Sequence, residues 1–358
     1  MSRKIAIIGA GLAGISAAIM LRKAGLEVEI FEKNDKIGGK LNFYQQQGYI
    51  FDLGPSILTL PQYFRILFEI HNRQMDDYIK IQNVRPHWRN FFEDGTVIDL
   101  DSDLEFMKKQ LSRFNDNSYE ALLKFLKYSE QQYDILSKGY FDNGLDTVGD
   151  FIKFYNLSAT FKIDFFRTMH GRISKFFKNK YLIDIFDYFI KYVGSSAYNA
   201  PGFMNLMPTI QFKYDLWYVP GGMYNIARGF EKLMSEIGIK INLNSEVKKI
   251  VIENNKAIGI ETEKEFFKAD YIISNMEVIP AMEKLLNEEK SYIDKFKRFE
   301  PACSGLVIDV ALKNNYPLLL PGNTRSISAN ILSLLRVGTN VLSLNISLYN
   351  GSISIILT

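Results

Sequence analysis

Three glycines and one carboxylate near the start of the chain have the spacing of a nucleotide-binding turn. Gly9, Gly11 and Gly14 follow the apolar run Ile5 to Ile8, and Glu32 comes 18 residues after Gly14. In a GxGxxG turn the first glycine allows a sharp bend, the second lets backbone approach a pyrophosphate, and the third lets a helix pack against a strand. The carboxylate can accept hydrogen bonds from both ribose hydroxyls and would repel a 2′-phosphate. This spacing predicts the binding of an adenine dinucleotide that lacks a 2′-phosphate.

The elements that must position these residues follow from hydrophobic spacing. The run Ile5 to Ile8 predicts a buried parallel strand. Apolar residues at helical intervals predict a helix from Leu12 to Arg22 that ends at Gly25, and Val28 to Phe31 predicts a second strand. The pyrophosphate would lie at the N-terminus of the helix, where free N–H groups and the helix dipole favour anions. Strand, turn, helix, strand and acid in this order predict a Rossmann-like α/β domain.

Two further segments carry a family resemblance. Lys33 to Lys40 reads KNDKIGGK, and Phe51 to Ser56 reads FDLGPS. Together with the glycine turn, they resemble the flavin-containing amine oxidase and phytoene desaturase superfamily. The resemblance implies FAD as the cofactor and a Rossmann-like FAD-binding domain with an inserted, largely helical substrate and membrane-associating region.

The resemblance also implies which residues hold FAD. In the family the second glycine pair lies against the diphosphate with a basic residue nearby, the GPS loop approaches the flavin, and the backbone of the NSEV segment contacts the adenine. The expected cofactor site consists of Gly9, Gly11, Leu12, Ala13, Gly14, Glu32, Lys33, Gly38, Gly39, Lys40, Gly54, Pro55, Ser56 and Val247. From spacing alone, Gly54-Pro55 would be an ordinary turn and Val247 a strand residue.

The rest of the chain predicts an interrupted domain. A hairpin with an Asp94-Gly95 turn is predicted at Phe91 to Leu100, and a largely helical stretch from about Asp103 to Thr209. The nucleotide-binding fold resumes at Trp217, with a helix from about Tyr224 to Ile237 and strands near Ile239 to Leu243, Val247 to Ile252 and Ala269 to Asn275. We expect an FAD-binding domain at 1–70 and 217–285, a substrate and membrane-associating region at 71–216, and a substrate-domain remnant with an atypical tail at 286–358.

Aromatic and basic residues are concentrated in the inserted region. Residues 151–200 hold 14 Phe or Tyr, and eight Lys or Arg against three Asp or Glu. Residues Arg172 to Leu182 combine apolar side chains with basic ones, a composition that suits a helix lying at an anionic membrane surface. The basic stretch continues to Lys191. The alternative is that these aromatics form a core beneath a solvated basic face.

A closer resemblance concerns the substrate. Four segments resemble the 4,4′-diaponeurosporene oxygenase branch of the carotenoid desaturases: Gly144 to Thr147, Tyr188 to Pro201, Trp217 to Met223 and Ala269 to Pro280. This branch oxidises the terminal methyl group of a C30 carotenoid to an aldehyde. The resemblance implies a membrane-dissolved carotenoid as substrate and a cytoplasmic protein on the inner face of the cell membrane. The sister branch, the dehydrosqualene and phytoene desaturases, shares the FAD motifs and stays an alternative.

No catalytic residue is assigned. A flavin can take hydride equivalents from an allylic C–H of a polyene when positioning and a dry channel supply much of the catalysis. The sequence shows no Ser/His/Asp or Cys/His constellation, and Cys303 is interpreted as a packing residue. Two other classes stay open: a flavin amine oxidase that acts on a polar substrate, and a non-catalytic remnant that binds adenine nucleotide.

Composition limits other functions. A formal net charge of +3 over 358 residues gives no indication of nucleic-acid binding. The single cysteine excludes an internal disulfide and suits a reducing compartment. His71, His87 and His170 show no ligand spacing, so no metal site is predicted. With no signal peptide or long apolar segment visible, we expect a soluble or peripheral protein of undetermined oligomeric state.

The last 49 residues differ in composition from the rest. Asp309 is the last acidic residue and Phe299 the last Phe. We interpret this as a truncation with a frameshifted tail, and a natural apolar C-terminus is the alternative. Because the family's final segment completes the flavin site, a truncation would impair catalysis.

Overall fold

The structure is a computed structural model that describes residues 3–46, 48–144, 147–155, 161–299, 306–311, 324–327, 344–349 and 352–357. It divides into two units. The first comprises residues 1–82 and 217–301, and the second comprises residues 83–216 and 302–358. Cys303 lies outside the described residues. Most of the last 49 residues, the segment without acidic residues, also lie outside them.

The first unit is built on a parallel sheet. Its strands lie in the order Tyr271–Ser274, Lys4–Ile8, Glu27–Phe31 and Lys240–Asn242. Every position from Ile5 to Ile8 is apolar because both faces of the sheet are covered. Ile5 and Ile7 lie in a core cluster with helical residues, and Ala6 and Ile8 lie in a second cluster with a neighbouring antiparallel sheet. The predicted α/β fold class is confirmed.

The helix predicted from about Tyr224 and the strands predicted near Ile239, Val247 and Ala269 are confirmed, and the first unit contains further elements that no prediction covered. Its helices are Leu12–Lys23, Pro61–Glu69, Asn225–Glu236, Val278–Ala281 and Lys290–Lys297, with single turns at Met75–Asp77 and Met282–Leu286. Its other strands are Val247–Glu253, Lys256–Thr262 and Phe266–Lys268 in an antiparallel sheet, the hairpin Asn42–Gln46 and Tyr49–Leu53, and the short strand Trp217–Tyr218. A two-residue strand, Gln82–Asn83, falls where the chain passes between units. Gly25 ends the first helix as predicted, with φ of +82°.

The described strands of the second unit form one sheet. Their order is Leu306–Ala311, Ser352–Leu357, Leu344–Tyr349, Thr324–Ile327, Trp88–Phe91 and Val97–Leu100. The predicted hairpin is confirmed, because the last two strands pair antiparallel around a turn in which Gly95 has φ of +83°. The helices are Leu104–Leu111, Ser118–Tyr140, Val148–Phe154, Met169–Phe176, Lys180–Asp187 and Met207–Tyr214, with 3₁₀ turns at Ser112–Phe114, Tyr188–Tyr192 and Gly202–Leu206. The predicted helical stretch is therefore also confirmed.

Many aromatic side chains of the inserted region form a core. Phe125, Phe177 and Phe186 are fully buried, and their ring centroids lie 4.7 to 5.1 Å apart. The single basic helix expected from Arg172 onward is wrong. Phe177 adopts extended backbone, and the side chain of Asn179 caps a new helix, so two short helices replace one. For these rings the core alternative is the correct one.

The basic side chains of the same stretch are divided between interior and surface. Arg172 Nε donates to Asp164 Oδ2 at 2.5 Å, and Lys191 Nζ lies 3.4 Å from the centroid of the Trp88 ring. Three side chains remain exposed: Lys175, Lys178 and Lys180. None of the helices within the described residues combines the length and the hydrophobicity that a membrane span requires.

Candidate dinucleotide site

A cavity of about 720 Å³ opens in the first unit where its parallel strands end. Ile8 and Phe31 end two of these strands, and Asn275 directly follows a third. This is the edge at which open α/β sheets bind ligands. The sequence-predicted site residues that line the cavity are Gly9, Gly11, Leu12, Ala13, Glu32, Lys33, Gly38, Gly39, Lys40, Pro55 and Val247. Gly14, Gly54 and Ser56 do not line it.

The three glycines of the first turn meet different constraints. Gly9 has φ of +93°, a backbone angle that residues with a side chain rarely adopt. Gly14 lies within the helix, and a methyl group there would stand 2.3 Å from Gly9 O, so only glycine lets helix and turn come so close. Gly11 has φ of −71° and ψ of 169°, which any residue can adopt, and its nearest neighbour is the side chain of Asn275.

The start of the first helix offers free donors to the cavity. Gly11 is the N-cap residue of Leu12–Lys23 and provides no side-chain cap, and the first turn contains no acidic residue. The N–H groups at this end therefore lack intrahelical partners. Because Leu12 and Ala13 line the cavity, these donors and the positive end of the dipole favour an anion there.

The second glycine pair, Gly38 and Gly39, is hydrogen-bonded to the first turn. Gly38 N donates to Ala10 O at 2.8 Å, and Gly38 pairs with Gly11 in a parallel bridge. A methyl group at Gly39 would stand 3.1 Å from Gly11 Cα, and Gly39 has φ of +61°. The two turns thus form one backbone surface with no side chain between them.

Glu32 is 4% exposed as a residue, and its carboxylate already has protein partners. Its Oε2 accepts from Ala10 N at 2.8 Å, and its Oε1 accepts from Asn34 N and Nδ2 at 3.0 and 2.7 Å. A carboxylate has about four acceptor positions, so one remains, on Oε2. In this arrangement Oε2 has one acceptor position for a ribose hydroxyl, and acceptance from both hydroxyls, which would require Asn34 to release Oε1, stays a prediction.

Pro55 is the residue of the FDLGPS segment that lines the cavity, whereas Gly54 and Asp52 connect the segment to neighbouring parts of the chain. A methyl group at Gly54 would lie 2.1 Å from Lys40 O, so Gly54 permits close approach of the two chain segments. Asp52 accepts a hydrogen bond from Met223 N at 2.9 Å through both carboxylate oxygens. This contact joins the FDLGPS segment to the turn Pro220 to Met223. Lys40 Nζ lies 3.8 Å from Glu277 Oε1, and both side chains are highly exposed, so this ion pair contributes little to stability.

Several cavity residues were missed by sequence reasoning. The missed residues are Ile8, Phe31, Asn34, Leu41, Glu246, Lys248, Asn275, Met276, Glu277, Lys284 and Leu285. Asn275 to Glu277 had a detectable signal, since they follow a strand predicted to return to the parallel sheet. Hydrogen bonds to Glu246 and Glu263 raise the pKa of Lys248 to about 12, so this cation at the cavity wall stays charged and paired.

One polar arrangement in the second unit was also missed. His170 Nδ1 lies 2.6 Å from Asp187 Oδ2, and its Nε2 lies 3.2 Å from Ser174 Oγ. Ser174 is one helical turn after His170, and Asp187 ends the next helix. We therefore interpret these contacts as a structural connection between the helices Met169–Phe176 and Lys180–Asp187. Within the described ranges, no group of three His, Cys, Asp or Glu side chains is placed to bind a metal ion.

Comparisons with curated proteins agree with the expected family. A 4,4′-diapolycopene oxygenase of Methylomonas sp. is 47% identical over 324 residues, and a 4,4′-diaponeurosporene oxygenase of Staphylococcus aureus is 41% identical over 326 residues. Each match covers 90% of this chain, and 65% and 66% of the respective relative. The chain therefore spans slightly less than two thirds of the length of these relatives.

Solved structures share the fold at low sequence identity. An oxidoreductase from Methanosarcina mazei has a TM-score of 0.63 and 18% identity, with 99% of this chain and 78% of that chain covered. Wild-type putrescine oxidase bound to putrescine has a TM-score of 0.59 and 13% identity, with 100% and 75% covered. At these identities the likeness concerns the fold alone.

The cavity geometry suits a dinucleotide cofactor, because helix N–H groups favour the diphosphate and Glu32 retains an acceptor for a ribose hydroxyl. The sequence profile described as flavin containing amine oxidoreductase matches residues 12–298. The cofactor is therefore FAD, as predicted. The chain belongs to the flavin containing amine oxidoreductase family.

Proposed function

We propose that this protein carries out FAD-dependent oxidation of a C30 carotenoid, converting the terminal methyl group of 4,4′-diaponeurosporene to an aldehyde. The observation that carries the proposal is the 41 to 47% identity to carotenoid oxygenases over 90% of the chain. A carotenoid desaturase would share the same cofactor site, so the reaction product distinguishes the two activities.

Residues of the first unit would hold the cofactor. The N–H groups at Leu12 and Ala13 would bind the diphosphate, and the backbone of Gly38 and Gly39 would lie beside it. Glu32 Oε2 would accept from one ribose hydroxyl. The overall change balances as R–CH3 + O2 → R–CHO + H2O, in which bound FAD would pass hydride equivalents from the allylic C–H to dioxygen, and dioxygen would supply the aldehyde oxygen. In this proposal residues 1–70 and 217–285 form the FAD-binding domain.

The proposal needs no catalytic base among the described residues. An allylic position on a polyene is activated by delocalisation, so the protein has to position the substrate and exclude water. The aromatic inserted region, within residues 71–216, would bind the polyene, because apolar and aromatic side chains suit a long hydrocarbon.

A membrane-dissolved substrate requires contact with a membrane surface, and we propose that this is the cytoplasmic face. Phe161 and Phe166 are 82% and 100% exposed, and Lys162 and Arg167 beside them are also exposed. The acidic residue of this segment, Asp164, has a side chain that is 8% exposed and paired with Arg172. We define residues 161–167 as the aromatic-basic segment and propose that it inserts at an anionic membrane surface.

The enzymatic proposal can be tested in cells that produce 4,4′-diaponeurosporene. This chain, alone or extended by the C-terminal segment of the 41% identical relative, should yield the corresponding aldehyde, identified by mass and by its altered absorption spectrum. Products with additional double bonds and no oxygen would instead identify a desaturase. Bound flavin without any carotenoid product would contradict the oxidation and favour the nucleotide-binding alternative.

The cofactor site has a separate test. The purified chain should show flavin absorbance, and Gly11→Val should lose it, because a branched side chain would enter the cavity wall beside Asn275. Ala24→Val, at the far and exposed end of the same helix, is the matched control and should retain flavin. Stoichiometric flavin in Gly11→Val protein would show that the turn does not bind the cofactor.

A further inference from the structure

Gly11 is surrounded differently from the other glycines of the turn. Its backbone torsions suit any residue, unlike those of Gly9. A methyl group at Gly11 would not meet backbone, as it would at Gly14, but would stand 2.6 Å from Asn275 Nδ2 and 3.8 Å from Asn275 Cγ. The space above Gly11 is thus occupied by a side chain from the distant part of the sequence.

The main chain fixes Asn275 in this position. Its N–H donates to Ile8 O at 2.8 Å, which continues the parallel pairing of Tyr271–Ser274 with Lys4–Ile8. A methyl group at Gly14 would stand 3.2 Å from Nδ2, so the carboxamide lies over both Gly11 and Gly14. Its donor group is therefore beside the helix N-terminus that favours an anion.

We propose that Asn275 Nδ2 donates a hydrogen bond to the FAD diphosphate, and that position 11 is glycine to leave room for this carboxamide. The inference rests on FAD binding in this cavity and adds a specific residue to it. The helix N–H groups supply donors from one side, and Asn275 supplies a donor from the neighbouring strand. A carboxamide can do this without the desolvation cost of a buried cation.

Substitution of Asn275 tests the hydrogen bond. FAD affinity is measured by flavin fluorescence titration of the full chain. Asn275→Leu, similar in size but without a donor, should bind FAD about 10- to 100-fold more weakly, the usual loss for a hydrogen bond to a charged group. Asn275→Asp should bind more weakly still, and its deficit relative to Asn275→Leu should shrink in high salt as phosphate repulsion is screened. Tyr271→Phe, at the exposed start of the same strand and outside the cavity lining, is the control and should match wild type.

A double-mutant cycle tests the role of Gly11. Gly11→Ala should displace the carboxamide and weaken binding about as much as Asn275→Ala, and the double variant should be no weaker than either single variant. Additive losses would overturn the proposal, because Gly11 would then contact the cofactor independently of Asn275. Unchanged affinity in Asn275→Leu would overturn it as well. If wild type bound no FAD, the cofactor assignment itself would fail, whereas wild-type binding with unaffected variants would reject Asn275 alone.

Discussion

The Glu32 carboxylate accepts a hydrogen bond from Ala10 N at 2.8 Å, so the acid that directly follows the second strand also holds the glycine turn. Its other oxygen fixes the start of the following loop through Asn34. Ala10 O in turn accepts from Gly38 N, so both glycine turns are joined to one carboxylate through a short chain of hydrogen bonds. In the proposed binding mode, cofactor recognition and the shape of the turn therefore depend on the same side chain.

Glu32→Gln should weaken both the fold and cofactor binding. The single amide oxygen cannot replace both carboxylate oxygens, so Ala10 N or Asn34 loses its acceptor. We expect the free energy of unfolding to fall by about 1–3 kcal/mol, the range for hydrogen bonds to a buried charged group. Urea unfolding and FAD titration measure the two effects. Glu27→Gln, on the exposed end of the same strand, should change neither, and equal behaviour of the two variants would contradict the role of Glu32.

Gly14→Ala should destabilise the first unit although it adds only one methyl group. That methyl would stand 2.3 Å from Gly9 O, and backbone cannot move as easily as a side-chain end. Overpacking of this kind costs about 1–3 kcal/mol. Met20→Ala on an exposed position of the same helix should stay within about 0.5 kcal/mol of wild type. Equal urea midpoints for the two variants would show that the helix shifts without cost.

The parts of the site that the sequence predicts are those whose residues are neighbours along the chain. The turn from Gly9 to Gly14 and the acid at Glu32 belong to one strand-helix-strand unit, where local periodicity determines the geometry. Asn275 lies 264 positions after Gly11 and reaches the same place through the pairing of two strands. No local sequence pattern specifies this pairing. The division of the basic side chains between interior and surface was missed for a related reason: Arg172 is paired with Asp164, and the composition of a segment does not show which charges have interior partners.

The stability of the second unit should depend on pH through His87. Its side chain is buried and Nδ1 has no hydrogen-bond partner, and burial lowers the pKa of the imidazole below the ordinary 6.5, against the opposing effect of Asp101 and Asp215. The unfolded chain therefore takes up this proton at a higher pH than the folded chain. The stability that neutral His87 contributes is complete above pH 6.5 and is lost as the pH falls below it, by at most about 1.4 kcal/mol per pH unit.

The measurement is the urea midpoint between pH 5 and 8, followed by Trp88 fluorescence in a Trp217→Phe background. His87→Gln should lose less stability on acidification than the parent, because its side chain does not titrate. Parallel pH profiles for the two proteins would show that His87 does not carry the dependence.

Membrane binding should depend on the aromatic-basic segment together with the exposed lysines of the second unit. Phe161→Ser combined with Phe166→Ser should reduce binding to anionic vesicles at every salt concentration, because the loss is hydrophobic. Charge reversal of Lys175, Lys178 and Lys180 to Glu should reduce binding mainly at low salt, since each basic residue contributes about 1 kcal/mol within about 10 Å of the surface at 0.1 M salt. Vesicle flotation measures both effects.

A control variant separates local contact from net charge. Reversal of Lys249, Lys256 and Lys268, exposed lysines of the first unit, changes the formal charge by the same amount. If the second unit provides the membrane contact, this control should float nearly as well as wild type, whereas the Lys175, Lys178 and Lys180 variant should not. Equal losses in the two triple variants would mean that overall charge governs binding. Full flotation of the double serine variant would mean that Phe161 and Phe166 remain in water, and the exposed rings would then need another explanation.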